Sequence, residues 1–429
     1  MIGLIGVCAL LVLLSVGVPI GVAMGLVGLV GMCALLGIEP ALIKSGVVLF
    51  ESVSRYELGV LPLFLLMAHL CFAAGASRDF FAAAASVVGH RRGGLALATI
   101  AGCAGFGAVS GSSLATAATM GLIGLPEMRK RGYSTALASG AVAAGGTLGS
   151  LTPPSGALIV FGIIAEQSIG KLFTAAIIPA LTQTLLYMAA IVIVCRLRPS
   201  IAPPSARMSW AERRAAIFRV LDLAALVICV LTGIAVGWFT PTEAASVGSL
   251  LALVLCAIRK RLSWQSLGEA LAQTLKTTGM LYLVIIGALI FAVFMSFTGL
   301  AEQVSGLVQG MHGSPMMAIV VITVLLLLLG SVLDGLALML LTTPILLPII
   351  TNLGFSPIWF GIFLVRTMEI GFIHPPIGIN LYVIQSIAPD IPLGRVFKGV
   401  LPFLAADFVH LALIIAIPAL TLALPTWLN

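Results

Sequence analysis

Long apolar stretches alternate along the chain with short polar or basic breaks, and the spacing of those breaks predicts its elements. A bilayer core about 30 Å thick needs about 20 residues of helix to cross it. Each apolar run is therefore one crossing, or a hairpin that enters and returns. The start, MIGLIGVCALLVLLSVGVPIG, has no basic n-region and more apolar segments follow it, so it reads as a retained span and not a removable signal peptide. Residues 196–219, RLRPSIAPPSARMSWAERRAAIFR, are the strongest basic stretch and mark a cytoplasmic linker. The run 220–258 would be about 58 Å long as a single helix, so it must break, and GWFTPTE is the break, on the outside. RKR at 259–261 returns the chain to the inside. Residues 262–277 alternate polar and apolar at helical spacing, which predicts a helix on the membrane surface ahead of a span at 278–298. AEQVSGLVQGMHG, 301–313, is expected on the outer surface before the apolar stretch 314–351.

The N-terminal half repeats this order. An offset of 222 pairs Pro19 with Pro241, Pro126 with Pro348, and Gly132, Tyr133 and Ser134 with Gly354, Phe355 and Ser356. It also pairs GSLTPPSG (149–156) with GFIHPPIG (371–378), and a two-residue insertion then aligns GKLF (170–173) with GRVF (394–397). Five matches in order across most of the chain indicate an internal duplication. The stretch 94–127 lies between HRR and MRKR, both inside signals, so it enters from the cytoplasm and returns. Crossings at about 134–165 and 171–195 then reach the linker. By the same count 314–351 begins and ends outside, Arg395 and Lys398 fall inside, and the last span ends outside. Two hairpins entering from opposite faces make an inverted repeat, the architecture of many secondary transporters. The expected fold is an all-α polytopic membrane protein with two re-entrant hairpins and two broken helices. Its parts are scaffold spans and surface helices (1–93 and 220–313), a transport body (94–195 and 314–429) and the cytoplasmic linker 196–219.

Composition narrows the function. Of 429 residues, 60% are hydrophobic and 9% charged, against about 25% charged in soluble domains, which excludes a soluble globular enzyme. The net charge of +7 sits in short loops, where it signals topology and not nucleic-acid binding. Seven cysteines without CxxC spacing indicate neither a disulfide nor a metal site. An intramembrane hydrolase would need two facing Asp or a metal motif, and the central motifs hold neither HExxH nor a second membrane-centre Asp. A passive channel would not need two mutually inverted breaks.

The first hairpin tip, about residues 107–121, offers Gly for a turn and Ser hydroxyls with unwound carbonyls, hard oxygen ligands that suit alkali cations. Close packing of small residues explains it equally well. The Pro153–Pro154 pair removes donors in mid-membrane, and such a break is tolerated where freed carbonyls line a cavity or bind an ion. In the second half Asp334 stands at the repeat position of Ser112, inside a long apolar stretch. A carboxylate there marks an ion or substrate path, or caps a broken half-helix; the two are compatible. Pro375–Pro376 repeats the break, with Asn380 offering an amide oxygen and His374 either titrating or holding backbone. Glu369 is expected to pair with Arg366, and Glu243 to start a helix.

GFGAVSGSSLATAATMG, GTLGSLTPPSGALIVFG, WFTPTEAASVG, VLDGLALMLLTTPILLPI and EIGFIHPPIGINLYVI together resemble the large membrane subunit of tripartite ATP-independent periplasmic (TRAP) transporters, in order over essentially the whole chain. The resemblance implies a sodium-coupled elevator carrier of the bacterial inner membrane, not an enzyme, taking up an organic acid anion such as a C4-dicarboxylate or sialic acid. It also implies two partners, a periplasmic binding protein that delivers substrate and a small four-helix membrane subunit. No cofactor is implied besides the coupling Na+. Carried over by motif, one sodium site would use Ser110, Gly111, Ser112, Gly149 and Thr152, and the other Asp334, Gly335, His374 and Asn380. Substrate would lie between the tips, near Ser113, Pro153, Pro154, Pro375 and Pro376, with Arg366 the nearest candidate for a carboxylate clamp. His374 stands where the family often has Thr, which weakens that position as a ligand. The alternative is a related sodium/anion symporter that works without a binding protein.

Overall fold

A computed structural model describes residues 2–300 and 315–428. The surface reading of 301–313 therefore lies outside the described residues. Among the described residues every regular element is helical. The first half opens with α1 (Ile2–Ser15), α2 (Ile20–Leu36), α3 (Ile38–Ser54), α4 (Val60–Ala73) and α5 (Ala76–Val88). Its counterparts after the linker are α11 (Trp210–Ala235), α12 (Pro241–Ile258) and α13 (Trp264–Thr298). The break around GWFTPTE is present, and Thr240 caps α12 in a reciprocal box with Glu243, the helix-start role read from the sequence.

Two boundaries differ from expectation. Ser209 and Glu212 form a capping box, so α11 already begins at Trp210 and takes up the last part of the stretch read as linker. The predicted surface helix and span at 262–298 are one continuous helix, α13. Ser263 caps its start, and no proline between 264 and 298 interrupts the hydrogen-bond ladder.

The hairpins and broken helices form two equivalent series. In the first, α6 (Gly94–Ser110) and α7 (Ser113–Lys130) form the hairpin, α8 (Thr135–Leu151) and α9 (Gly156–Ile164) are halves of one helix bent by 41°, and α10 (Ile169–Leu197) is the span that follows. In the second, α14 (Pro315–Gly330) and α15 (Gly335–Asn352) are the hairpin, α16 (Pro357–Gly371) and α17 (Ile379–Ile387) flank the second break, and α18 (Leu393–Ala416) leads through Pro418 to α19 (Ala419–Leu428). Among the described residues seven helices are long and apolar enough to cross a bilayer, or eight with the bent pair. One of them, α15, has the length of a span but begins at the second hairpin tip and packs on α16, as a hairpin arm does.

Helix contacts rely on missing side chains. A Cβ on Gly21 would come within 2.5 Å of the Leu283 carbonyl oxygen, and one on Gly28 within 2.8 Å of the Phe291 nitrogen, so α2 lies directly on the backbone of α13. Gly140 of α8 meets Gly399 of α18 in the same way. In lipid, close backbone approach of this kind supplies the van der Waals contact that holds helices together. At the end of α12 the Arg259 guanidinium bonds Asp79 (2.5 Å), Asp222 (2.6 Å) and the Ala74 carbonyl (3.1 Å), tying the α4–α5 turn and α11 to α12.

Candidate functional site

The two hairpin tips are built alike. Gly111 turns the first tip with φ +60°, a conformation that L side chains rarely adopt, and Ser112 then caps α7 by accepting from the Ala115 amide. At the second tip Asp334 caps α15, accepting from the Leu336 amide at 3.1 Å. Each tip rests on its own broken helix. The Gly156 amide donates to the Gly111 carbonyl (3.2 Å), and Ser155 caps α9. A Cβ on Gly149 would come within 2.5 Å of the Ser112 carbonyl oxygen, and one on Gly371, the repeat equivalent of Gly149, within 2.5 Å of the Gly330 carbonyl oxygen. In both halves a glycine of the break thus lies against a backbone carbonyl of the adjoining hairpin, although Gly330 stands four residues before Asp334, the equivalent of Ser112.

Between the tips lies a cavity of about 250 Å³. Ser110, Gly111, Ser112, Ser113 and Pro154 line it from the first hairpin and break, Asp334, Met368 and Phe372 from the second, and Phe64 of α4 and Thr277 and Met280 of α13 close it. No Lys, Arg or His is among the lining residues, so backbone dipoles at the N-termini of α7 and α15 provide the positive field available there. A larger cavity of about 550 Å³ opens at the outer turns beside Arg55, Glu166 and Thr240, away from the tips.

The remaining residues singled out in the sequence do not line this cavity. Thr152 Oγ1, Asn380 Oδ1 and His374 Nδ1 are buried atoms with no hydrogen-bond partner, and Thr152 and His374 are repeat equivalents. Asn380 Nδ2 donates to the Ala143 carbonyl (3.1 Å), which leaves its amide oxygen free to accept. Pro153 and Gly335 are buried, Pro375 and Pro376 are exposed, and the His374 ring stands edge-on to Phe408.

Two expectations are corrected. Arg366, expected near the substrate, does not line the cavity: it is 1% exposed and forms an ion pair with Asp407, itself fully buried. Glu369 does not pair with Arg366. Its carboxylate oxygens both lie 2.7 Å from Ser113 Oγ, across from the first hairpin tip. Asp407 lies in an apolar helix outside the glycine- and proline-rich motifs, so no local pattern singles it out. A signal was available: Gln183 Nε2 donates to Asp407 Oδ1 at 2.7 Å, and the two residues are 224 apart, the offset that aligns GKLF with GRVF. They meet where the two repeats meet, with Thr182 and His410 (2.8 Å) and Tyr187 and Thr147 (2.9 Å) hydrogen-bonded alongside.

Residues 7–420 match the family described as "Tripartite ATP-independent periplasmic transporter, DctM component". The chain belongs to that family. It is 37% identical over 386 residues to the C4-dicarboxylate TRAP transporter large permease protein DctM of Pseudomonas aeruginosa, covering 89% of each chain. It is 34% identical to the sialic acid TRAP transporter large permease protein SiaM of Vibrio cholerae, covering 87% of each. Against the isethionate TRAP transporter permease protein DctMQ of Oleidesulfovibrio alaskensis the identity is 32%, over 95% of this chain and 64% of that one. The fold is similar to the crystal structure of the YdaH transporter of Alcanivorax borkumensis, with a TM-score of 0.63 and 14% identity, covering 91% of this chain and 89% of that one. The chain is a TRAP transporter large permease, a multi-pass protein of the bacterial inner membrane.

Proposed function

We propose that this TRAP permease takes up an organic acid anion, coupled to sodium, by moving its transport body against the scaffold as an elevator. The observation that carries the reading is the single cavity lined jointly by Ser110–Ser113, Asp334 and scaffold residues, because an inverted repeat with a shared site at its centre is the arrangement from which alternating access is built. The relatives are named for C4-dicarboxylate, sialic acid and isethionate, all anions. Substrate is a C4-dicarboxylate, sialic acid or a similar carboxylate, delivered by a periplasmic binding protein, with a small four-helix membrane subunit bracing the scaffold.

The donor chemistry around the cavity fits an alkali cation. Thr152 Oγ1 and Asn380 Oδ1 are buried oxygens without a partner, and a buried acceptor left unpaired costs free energy unless something satisfies it. Ser110, Gly111, Ser112, Gly149 and Thr152 would hold one sodium ion, and Asp334, Gly335, His374 and Asn380 the other. In each the ion supplies positive charge beside a cavity that has no basic side chain, while Ser113 and Pro154 face the substrate. Uptake by proteoliposomes, measured for C4-dicarboxylates and sialic acid with and without the binding protein, tests the reading. Transport should follow an inward sodium gradient without ATP. Equal transport in sodium-free buffer, with no other ion substituting, overturns it. Full uptake by the permease without the binding protein would favour an independent symporter.

A further inference from the structure

Three fully buried ionisable groups lie close together in the transport body: Arg366, Asp407 and Glu369, each at most 1% exposed. Arg366 and Asp407 neutralise one another. Among the described residues Glu369 forms no ion pair: Arg366, one helical turn away, acts on it only from a distance, and its hydrogen-bond partners are the hydroxyls of Ser113 and the neighbouring Ser150. The hydrogen count around it is informative. Both carboxyl oxygens lie 2.7 Å from one Ser113 Oγ, which carries a single hydrogen, and Ser113 Oγ is also 2.9 Å from Ser150 Oγ and 3.4 Å from the Thr147 carbonyl. An ionised carboxylate would have two hydroxyl hydrogens at most, from Ser113 and Ser150, and using both would leave the close Ser113–Ser150 oxygen pair without a hydrogen between them, in an interior where an incompletely compensated charge is very costly. A neutral carboxyl donates its own hydrogen to Ser113 Oγ and releases the Ser113 hydroxyl to Ser150 or Thr147, so every group is satisfied.

We propose that Glu369, with Ser113 and Ser150, is a proton-binding site that joins the first hairpin tip to the second broken helix. The proton held there connects α7 to α16 through residues 256 apart in sequence. The surroundings favour the neutral acid. Among the helices packed against α16, the charged or titratable groups facing inward are Asp334 at the start of α15, Tyr187 on α10, and Asp407 and His410 on α18; α8, α9, α14 and α19 have none. Arg366, on the helix of Glu369 itself, is taken by Asp407. Because Ser113 lines the cavity, loss of the proton would disturb the tip at the substrate site.

Infrared difference spectroscopy on the purified permease tests this independently of any transport assay, so its outcome is separate from that of the sodium and substrate reading. The carbonyl-stretch band of a protonated carboxyl should be present at neutral pH, persist in Asp334→Asn and vanish in Glu369→Gln. Alkaline titration of the wild type should convert that band to carboxylate bands, and should lower its unfolding midpoint more than that of Glu369→Gln, because a proton bound in the fold stabilises it until pH rises through the folded-state pKa. A wild-type spectrum with carboxylate bands alone at neutral pH overturns the proposal, as does a protonated band unchanged in Glu369→Gln. If Glu369→Gln does not fold, the titration of the wild type decides by itself.

Discussion

Asp334 carries two roles that one substitution separates. Its carboxylate caps α15 through the Leu336 amide, and it faces the cavity shared by the two tips. Asn retains a capping acceptor and loses the charge, so Asp334→Asn should raise the sodium concentration for half-maximal uptake several-fold at near-normal expression. Asp334→Ala also removes the cap, for a further loss of about 1 kcal/mol of stability. An unaltered sodium requirement in Asp334→Asn would leave capping as its only role. The Arg366–Asp407 pair invites a different comparison. Asp407→Ala leaves a buried guanidinium without its carboxylate and should destabilise by about 3–5 kcal/mol, whereas Arg366→Met with Asp407→Leu, which removes both charges, should cost far less. Thermal unfolding in detergent measures both; equal losses in the single and double variants would show that the pair is not what the interior depends on.

At the scale of elements, the two hairpins and two breaks were legible in the sequence because their signals are local: paired glycines and prolines in apolar runs, repeated at a fixed offset. What the breaks touch was not legible. Glu369 reads as the partner of Arg366 three residues away, yet it bonds Ser113, and only the packing of one repeat on the other creates that contact. The continuity of α13 escaped for the opposite reason, since its amphipathic first turns look like a surface helix while nothing in their sequence ends the ladder. The duplicated hairpin-to-break contact gives a direct test. Gly149→Ala and Gly371→Ala each push a methyl group against a carbonyl oxygen of the adjoining hairpin and should cost about 1–3 kcal/mol, with reduced uptake. Gly279→Ala, on α13 with no neighbour within 4 Å, should be neutral or slightly stabilising. Parity among the three in unfolding and uptake would mean that the tips do not rest on the breaks.

Across the whole molecule, an elevator requires contacts between scaffold and transport body to change while contacts inside the body persist. Two ion pairs sample the two kinds of contact. Arg55, just after α3 in the proposed scaffold, lies 3.4 Å from Glu166, in the turn between α9 and α10 of the proposed transport body. Both side chains are partly or largely exposed, and such a pair is worth about 0–1 kcal/mol, too little to lock a conformation. It therefore marks proximity at the boundary where the proposed elevator motion would require sliding. Arg129, at the end of α7, bonds Asp390 (2.5 Å), in the loop before α18, and holds that carboxyl below its usual range; both residues fall within the proposed transport body. Cysteine pairs at 55 and 166, or at 129 and 390, in a background without the seven native cysteines, can be joined by a short bifunctional reagent with a cleavable link. Joining 55 to 166 should arrest uptake and cleavage should restore it, while joining 129 to 390 should leave uptake nearly unchanged. Normal uptake with 55 and 166 joined would mean that this boundary does not slide during transport, and arrest by the 129–390 link would place the moving boundary within the body itself.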